Sequence, residues 1–329
     1  MKILLAGFRD PNHSSAGGYD RIRTIKDDAC LFLAENYPFG KKFKTHWMRI
    51  ATSLMDIQVR FLCFKYDIVH FFYGELTCLP FKYLKRKRTK TIITLHLDAS
   101  KREKRGLVKF LERFDGVIVL SSQQQRLLQQ YGISSVFIPH GFDVPRYDVA
   151  LSKDHKGNNI DKKYINVITI GSNYRDFDTL NRVLVNLSQI NPRVRIHLVG
   201  IPKKWKELFI NYPNVSIYGR LDDNEYYSLL SNCDYNFLPL TFATANNTLL
   251  EAQSLGIQSI LPKIDGILDY GAPAPLNIYY DSFDELVKVF SAIEKNEPNS
   301  DIKTYSERFS WRRINDRILD FYKEICERK

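Results

Sequence analysis

The sequence predicts an α/β protein built of two Rossmann-like, doubly wound parallel-sheet domains facing a cleft. Short apolar runs rich in Val, Ile and Phe alternate with helical periods along the 329 residues, the pattern of βαβ units. Runs such as Asp67-Ile-Val-His-Phe-Phe-Tyr73 and Thr91-Ile-Ile-Thr-Leu95 are apolar almost throughout, as strands buried on both faces must be. The alternation lapses over residues 145–163, which are polar and aperiodic, and then restarts. The chain therefore reads as a first domain over 1–150, a second over 151–305 with 151–163 as linker, and a C-terminal helix over 306–329 expected to pack back on the first domain.

In chain order, Lys2–Phe8 reads as a first buried strand, followed by a loop over Arg9–Gly18 that carries Gly17 and Gly18. Two adjacent glycines there allow positive φ and close approach of backbone to a ligand. A helix is expected from Tyr19, residues 27–38 are ambiguous, and 43–62 reads as an amphipathic helix with Trp47 and Met48. Strands follow at 67–73, 91–98, 114–122 and 135–143, with a helix at 123–131. In the second half, Tyr164–Ile170 is a strand ending at Gly171, and Asp178–Ile190 is a helix. Strands are expected at 194–200, 215–219 and 234–240, with helices at 224–231, 286–294 and, strongly amphipathic, from Ser310 onward.

Residues 238–262 carry the most chemistry. A strand ending at Leu240 passes through a small polar loop into a helix that starts near Asn247 or Thr248 and ends at Gly256. The first N–H groups of such a helix, at Asn246, Asn247 and Thr248, form an anion site with the positive end of the helix dipole. Glu251, one turn in, can accept two hydrogen bonds from vicinal hydroxyls, so the pair reads as a socket for the phosphates and ribose of a sugar nucleotide. A capped surface helix whose glutamate complements the dipole is the plainer reading of the stretch alone.

Composition narrows the class. Hydrophobic residues make up 44% of the chain and aromatics 13%, which excludes a disordered protein. No apolar run approaches the roughly 20 residues needed to cross a bilayer, and the run at Met1–Phe8 ends in Arg9 and Asp10 as a strand rather than a leader. A cytoplasmic protein is expected, peripheral on the inner face of the membrane. The five cysteines are scattered, without Cys-x-x-Cys or metal-like pairing with histidine. Residues 1–150 hold 25 Lys and Arg against 14 Asp and Glu, whereas the remainder holds 23 of each, so the net +11 resides entirely in the first half. It peaks at Lys82–Lys90 and Lys101–Arg105. Such a surface suits an acidic membrane, a lipid diphosphate, an acidic polysaccharide or a nucleic acid, or is a set of solvated helix ends. Phe81 and Tyr83 are the main aromatics near the run, too few for base stacking, so no nucleic acid is expected.

Several short motifs stand in a fixed order: Gly17-Gly18; Asp67-Ile-Val-His70; Thr94-Leu-His96; Asp115-Gly-Val-Ile-Val-Leu-Ser121; Ile138-Pro-His-Gly-Phe-Asp143; Gly171 with Arg175; Val199-Gly200; Gly219-Arg220; Leu238-Pro-Leu240; Leu249-Leu-Glu251-Ala252; and Phe309-Ser-Trp311. In that order they resemble the GT-B glycosyltransferases of the group 1, retaining family 4 type, over most of the chain and most strongly from residue 113. The resemblance implies transfer of a sugar from a nucleotide diphosphate donor to a glycan or lipid-linked acceptor with retention, in cell-surface polysaccharide or glycoconjugate synthesis. It implies His96 and Arg175 as catalytic residues and Asp98 as an acceptor contact. Gly17, Gly18, Gly171, Gly200, Arg220, Asn246, Asn247, Thr248 and Glu251 would bind the donor, and His70 and His140 would be structural.

The resemblance is incomplete. The family's two glutamates stand eight positions apart, and eight before Glu251 is Ala243. The lysine expected a turn after Arg175 is also absent, with Asp178 and Thr179 there. Asp176-Phe-Asp178 matches the Asp-x-Asp of metal-dependent transferases, but at a helix start capping explains it better, so neither cofactor nor metal is expected. The loss at 243 motivates an alternative, a catalytically degenerate GT-B chain that binds nucleotide sugar or glycan for a partner.

Overall fold

The computed structural model describes residues 1–9, 17–38, 40–41, 46–77, 89–143 and 160–328. Most of the first loop, the Lys82–Arg88 portion of the basic run with Phe81 and Tyr83, and residues 145–159 of the expected linker lie outside the described residues. The chain divides into two compact units, residues 1–143 with 309–329, and residues 144–308.

The first unit is built on six parallel strands, β1 Ile3–Gly7, β2 Cys30–Leu33, β3 Ile68–Phe72, β4 Lys90–Leu95, β5 Gly116–Val119 and β6 Val136–Phe137, in the order β2-β1-β3-β4-β5-β6. Every residue of β1, β3 and β5 is buried, as the unbroken apolar runs require. Each such Ile, Val or Phe contributes about 1.5–3 kcal/mol when removed from water. Helices α1 His46–Leu62, α2 Gly74–Thr77, α3 Lys104–Leu111 and α4 Ser122–Gln130 join the strands. The expected helix at Tyr19 is a 3-10 segment, Tyr19–Ile25, and the ambiguous stretch holds the edge strand β2. The strand expected over 135–143 shortens to β6.

The second unit has strands β7 Ile165–Ile170, β8 Val194–Val199, β9 Val215–Tyr218, β10 Tyr235–Phe237, β11 Gln258–Pro262 and β12 Ile278–Tyr280, all parallel, ordered β12-β11-β10-β7-β8-β9. Its helices are α5 Phe177–Ile190, α6 Lys203–Phe209, α7 Asp223–Ser231, α8 Asn247–Ser254, α9 Asp265–Leu268, α10 Phe283–Ala292 and α11 Ser300–Ser306. Side chains of β7, β8, α5 and α10, among them Val167, Ile196, Leu180, Leu187 and Phe290, interlock in its main core.

The last helix, α12 Trp311–Glu327, belongs to the first unit. Trp311, Ile314, Ile318, Phe321, Tyr322 and Ile325 recur at three- and four-residue intervals and are all buried. Trp311 explains the glycine of Ile138-Pro-His-Gly-Phe-Asp143. A Cβ on Gly141 would lie 2.4 Å from the Trp311 ring, so only glycine lets the indole in. Next to it, Phe142 N–H donates to the Phe309 carbonyl at 2.7 Å and Phe142 bridges to Ser310. Two motifs far apart in sequence are thus one structural joint, clamped further by the Arg21–Asp143 ion pair.

Below that joint runs a buried polar chain. His70 Nδ1 is 2.5 Å from the Tyr322 hydroxyl, His70 Nε2 is 2.7 Å from Thr94 Oγ1, and Thr94 Oγ1 is 3.3 Å from the Tyr19 hydroxyl. Burial pushes His70 down to about 3. In the second unit His197, held between Tyr218 and Asn166, is pushed down to about 4 by the same cause. Unfolded, each imidazole titrates near 6.5. Between these values the unfolded chain binds more protons than the folded one, so stability rises with pH across the window and is lost as pH falls below about 6.5. The slope is at most about 1.4 kcal/mol per pH unit for each histidine. Urea unfolding at pH 7.5, 6.0 and 5.0 is expected to show a falling midpoint; a midpoint level down to pH 5 would contradict the neutral, buried assignment.

Candidate functional site

In a doubly wound sheet, ligands meet the carboxyl ends of strands where the connections diverge. In the second unit that point lies between β7 and β10, because the chain runs outward through β8 and β9 and then crosses back. Thr169 Oγ1 ties the two strands just before they part, donating to the Phe237 carbonyl at 2.9 Å. Beyond it, Gly171–Asp176 and Leu238–Asn246 fold onto each other. Asp176 N–H donates to the Pro239 carbonyl at 2.9 Å, Thr241 N–H to the Tyr174 carbonyl at 3.0 Å, and Arg175 bridges to Leu240. The turn is tight enough to hold Tyr174 at φ 55° and Gly171 at φ 86°.

This turn fixes Arg175. Its Nε donates to the Ile170 carbonyl at 2.9 Å and its Nη1 to the Asn173 carbonyl at 3.2 Å. Desolvation lowers the guanidinium to about 10, so it remains charged at neutral pH, and the nearby Tyr226 hydroxyl opposes that lowering. Tyr226 in turn donates to Glu251 Oε2, and Tyr227 donates to Glu251 Oε1 at 3.4 Å. Burial, then the Glu251 charge, raises the Tyr226 phenol well above its usual value. Arg175, Tyr226 and Glu251 therefore form one electrostatic cluster. The carboxylate read from sequence as open to a ribose is buried and already engaged by two phenols.

The helix expected near Asn247 starts there. Asn246 is its N-cap, with Oδ1 accepting from Leu249 N–H at 3.0 Å, so this side chain serves the helix rather than a ligand. Thr248 is buried and Asn247 half-buried in the first turn, whose backbone N–H groups point out of the helix. Ala243 is buried, and its carbonyl presses on α9 so closely that a Cβ on Gly266 would fall 1.8 Å from it. Asp176 accepts from Thr179 N–H at 2.9 Å and Thr179 Oγ1 at 2.7 Å as the cap of α5. Asp178 is exposed.

Strand register aligns a further group. Ile170 pairs with Val199 and Val199 with Tyr218, so the next positions, Gly171, Gly200 and Gly219, stand in one row at the sheet's carboxyl edge. Gly200 also has positive φ, 67°, and a Cβ there or on Gly219 would meet nothing within 4 Å. Arg220 is exposed beside them. A polar cavity of about 250 Å³ lies farther along, at the ends of β10, β11 and β12, lined by Asp176, Arg182, Leu240, Lys263, Tyr280 and Ser282. It is smaller than most ligand pockets and does not include the Arg175 cluster.

The remaining expected residues lie in the first unit. His96, at the end of β4, stacks on Tyr73 with ring centroids 3.8 Å apart and meets Tyr19 edge-on at 4.7 Å. Its backbone N–H and that of Leu97 donate to Glu75 Oε1 at 2.6 and 2.7 Å. Burial raises the Glu75 carboxyl, and its Oε2 has no hydrogen-bond partner among the described residues. Asp98 is buried and caps a 3-10 turn, with Oδ1 accepting from Ser100 N–H at 3.0 Å and Ser100 Oγ at 2.6 Å, so its carboxylate is committed locally. Gly17 and Gly18 are buried. Gly18 has φ −77°, so the positive φ that glycine allows is not used there; a Cβ would lie 2.3 Å from Asp20 Oδ1, a side-chain end that would have to shift. His140 is buried, with Nδ1 2.6 Å from the Gly141 carbonyl oxygen. Glu75, Tyr226 and Tyr227 had no local signature in the sequence, since each acts on a partner more than 20 residues away.

Residues 23–146 match the Glycosyltransferase Family 4 model, in the first half of the chain, whereas the ordered motifs are densest from 113 onward. No curated protein matches the sequence. Among solved structures, Anabaena HepE in complex with UDP superposes with a TM-score of 0.70 at 16% identity, over 98% of this chain and 100% of that one. Sucrose-phosphate synthase from Thermosynechococcus elongatus gives a TM-score of 0.74 at 15% identity, over 99% of both. The catalytic domain of starch synthase IV from Arabidopsis thaliana, bound to ADP and acarbose, gives 0.64 at 12% identity, over 87% of this chain and 79% of that one. These neighbours are GT-B glycosyltransferases, and the fold of this chain is GT-B.

The positive φ of Gly171 generates a direct test. Gly171→Ala is expected to cost about 1–2 kcal/mol, because an L side chain is strained at that φ even though its Cβ would sit in ordinary contact, 3.5 Å from the Arg175 guanidinium. Thermal unfolding reads it as a drop of a few degrees; an unchanged midpoint would show that the turn relaxes.

Proposed function

On this fold, we propose that the chain is a retaining glycosyltransferase that moves a sugar from a nucleotide diphosphate donor to a glycan or lipid-linked acceptor. The observation that carries the reading is the Arg175–Tyr226–Glu251 cluster at the β7/β10 divergence, beside the N-terminus of α8. Similar folds bind nucleotides: HepE has been solved with UDP, and with UDP and glucose.

In this reading the diphosphate lies against the first turn of α8 at Asn247 and Thr248, where the helix dipole favours negative charge. Arg175 sets a fixed positive charge at the leaving group, preorganised by its two backbone hydrogen bonds, the kind of electrostatic support worth about 10²–10³ in rate. The row of Gly171, Gly200 and Gly219, with Arg220 beside it, gives the nucleoside a flat backbone edge. As the bond from the anomeric carbon to the diphosphate oxygen breaks, a bond to the acceptor oxygen forms on the same face. The acceptor proton passes to the leaving diphosphate, so no protein nucleophile is assigned. No metal is assigned either, since Asp176 is the cap of α5. His96, Gly17 and Gly18 keep the donor-side roles that the motif order implies. The basic first unit meets an anionic membrane or acceptor, in cell-surface polysaccharide or glycoconjugate synthesis on the cytoplasmic side.

The Tyr226 phenol stands where a ribose hydroxyl would donate to Glu251. Calorimetry with UDP, GDP and ADP is therefore expected to show opposite effects for two variants. Glu251→Ala weakens nucleotide binding about tenfold or more, the loss of a hydrogen bond to a charged group, whereas Tyr226→Phe tightens it by removing the competitor. A panel of UDP-, GDP- and ADP-sugars should show turnover of at least one donor, reduced about 10²-fold or more by Arg175→Ala. The reading fails if no donor turns over and Glu251→Ala leaves nucleotide affinity unchanged. Ala243, in place of the first glutamate, favours the second reading, a degenerate binding module, which tight donor binding without turnover on any acceptor would select.

A further inference from the structure

Helix α1 has two apolar faces. Met48, Ala51, Met55 and Val59 are buried against the first unit, as an amphipathic surface helix requires. On the opposite side Trp47, Leu54, Ile57 and Phe61, continued by Phe64 in the 3-10 turn Cys63–Lys65, are 40–73% exposed, Phe61 most of all. Their spacing of seven, three, four and three residues keeps them within an arc of about 100° on a helix of 3.6 residues per turn. A core-packing helix has no need of this second stripe. The short helix α2, which packs against α1, adds exposed Leu76.

The charges around the stripe indicate what covers it. Arg49, Lys41 and Lys65 are exposed, and the only acid of α1, Asp56, is fully buried and paired with Arg60 Nε at 2.9 Å. The exposed side of α1 is therefore aromatic, aliphatic and cationic, with no anionic group, on the half of the chain that carries all of the net +11. A second copy docked through this face would bring two cationic surfaces together, without the acid–base pairs that a helix–helix seam uses. An anionic lipid surface complements both features: Trp and Phe settle at the headgroup boundary, and Arg and Lys meet the phosphates.

We propose that α1 is a membrane-docking helix that lies in the plane of an anionic bilayer with Trp47, Leu54, Ile57, Phe61 and Phe64 inserted. This assigns a surface to the membrane part of the function proposed above and is independent of donor chemistry. The test is sedimentation of the full chain with vesicles of phosphatidylcholine and phosphatidylglycerol, against phosphatidylcholine alone. Wild type should pellet with the anionic vesicles, less so as salt is raised. Ile57→Ser/Phe61→Ser should lose about tenfold or more of its partitioning, with melting temperature and nucleotide affinity unchanged. Should the double variant not fold, Phe61→Ser alone is read the same way. The proposal is overturned if wild type stays in the supernatant, or if the variants partition like wild type. It is equally overturned if light scattering shows a wild-type dimer that Phe61→Ser converts to a monomer, which would assign the stripe to a second copy. A protein that turns over no donor yet pellets through α1 would sink the transferase reading and leave this one standing.

Discussion

The second unit depends on a topological constraint: β7 sends its connection one way, to β8, and β10 sends its connection the other way, to β11. Between two parallel strands so connected, no helix covers the carboxyl edge, and the chain fills the gap only with the turns that follow each strand. Those turns hold each other through main-chain hydrogen bonds, so a buried cation can be placed there without a partner carboxylate in direct contact. Arg175 is anchored by carbonyl oxygens, and Glu251 is linked to it through the Tyr226 phenol. Among the described residues no salt bridge neutralises this cation.

The strands were legible where burial on both faces leaves a largely apolar run, as in β1, β3, β4 and β7, whereas β8, Val194-Arg-Ile-His-Leu-Val199, shows itself by alternation. β2 did not. It is a half-buried edge strand, Cys30-Leu-Phe-Leu33, too short for a period and set between Asp28 and the polar Glu35-Asn36 turn. Helices α6 and α11 were missed because their exposed faces are dense in charge, so the apolar period is carried by only one or two residues such as Phe209 and Ile302. Of the site, the glycines after β7 and β8 were legible, because few other residues tolerate their φ. The phenols on Glu251 and the Glu75 carboxylate under His96 were not, because such pairs are created by the crossover and leave no mark at short sequence range.

Both units bury neutral polar groups in hydrogen-bonded chains. In the first, the residues around the joint, Tyr19, His70, Thr94 and Tyr322, form a neutral hydrogen-bonded chain, which a core tolerates when every member has a partner. The second holds such neutral groups too, His197 with Asn166 and Gln253 with Asn277, and in addition keeps a charged cluster at the strand ends.

Trp311 belongs to the first unit but follows the whole second unit in sequence. A ribosome releases the chain from the N-terminus, and domains generally fold as they emerge. The sheet β1–β6 is therefore synthesised with the space beside Gly141 and Tyr19 still open, and residues 144–308 are complete before the indole that closes it exists. The unit made first is the unit finished last, and until then its unfilled apolar slot is the surface at which a nascent chain would need shielding from aggregation.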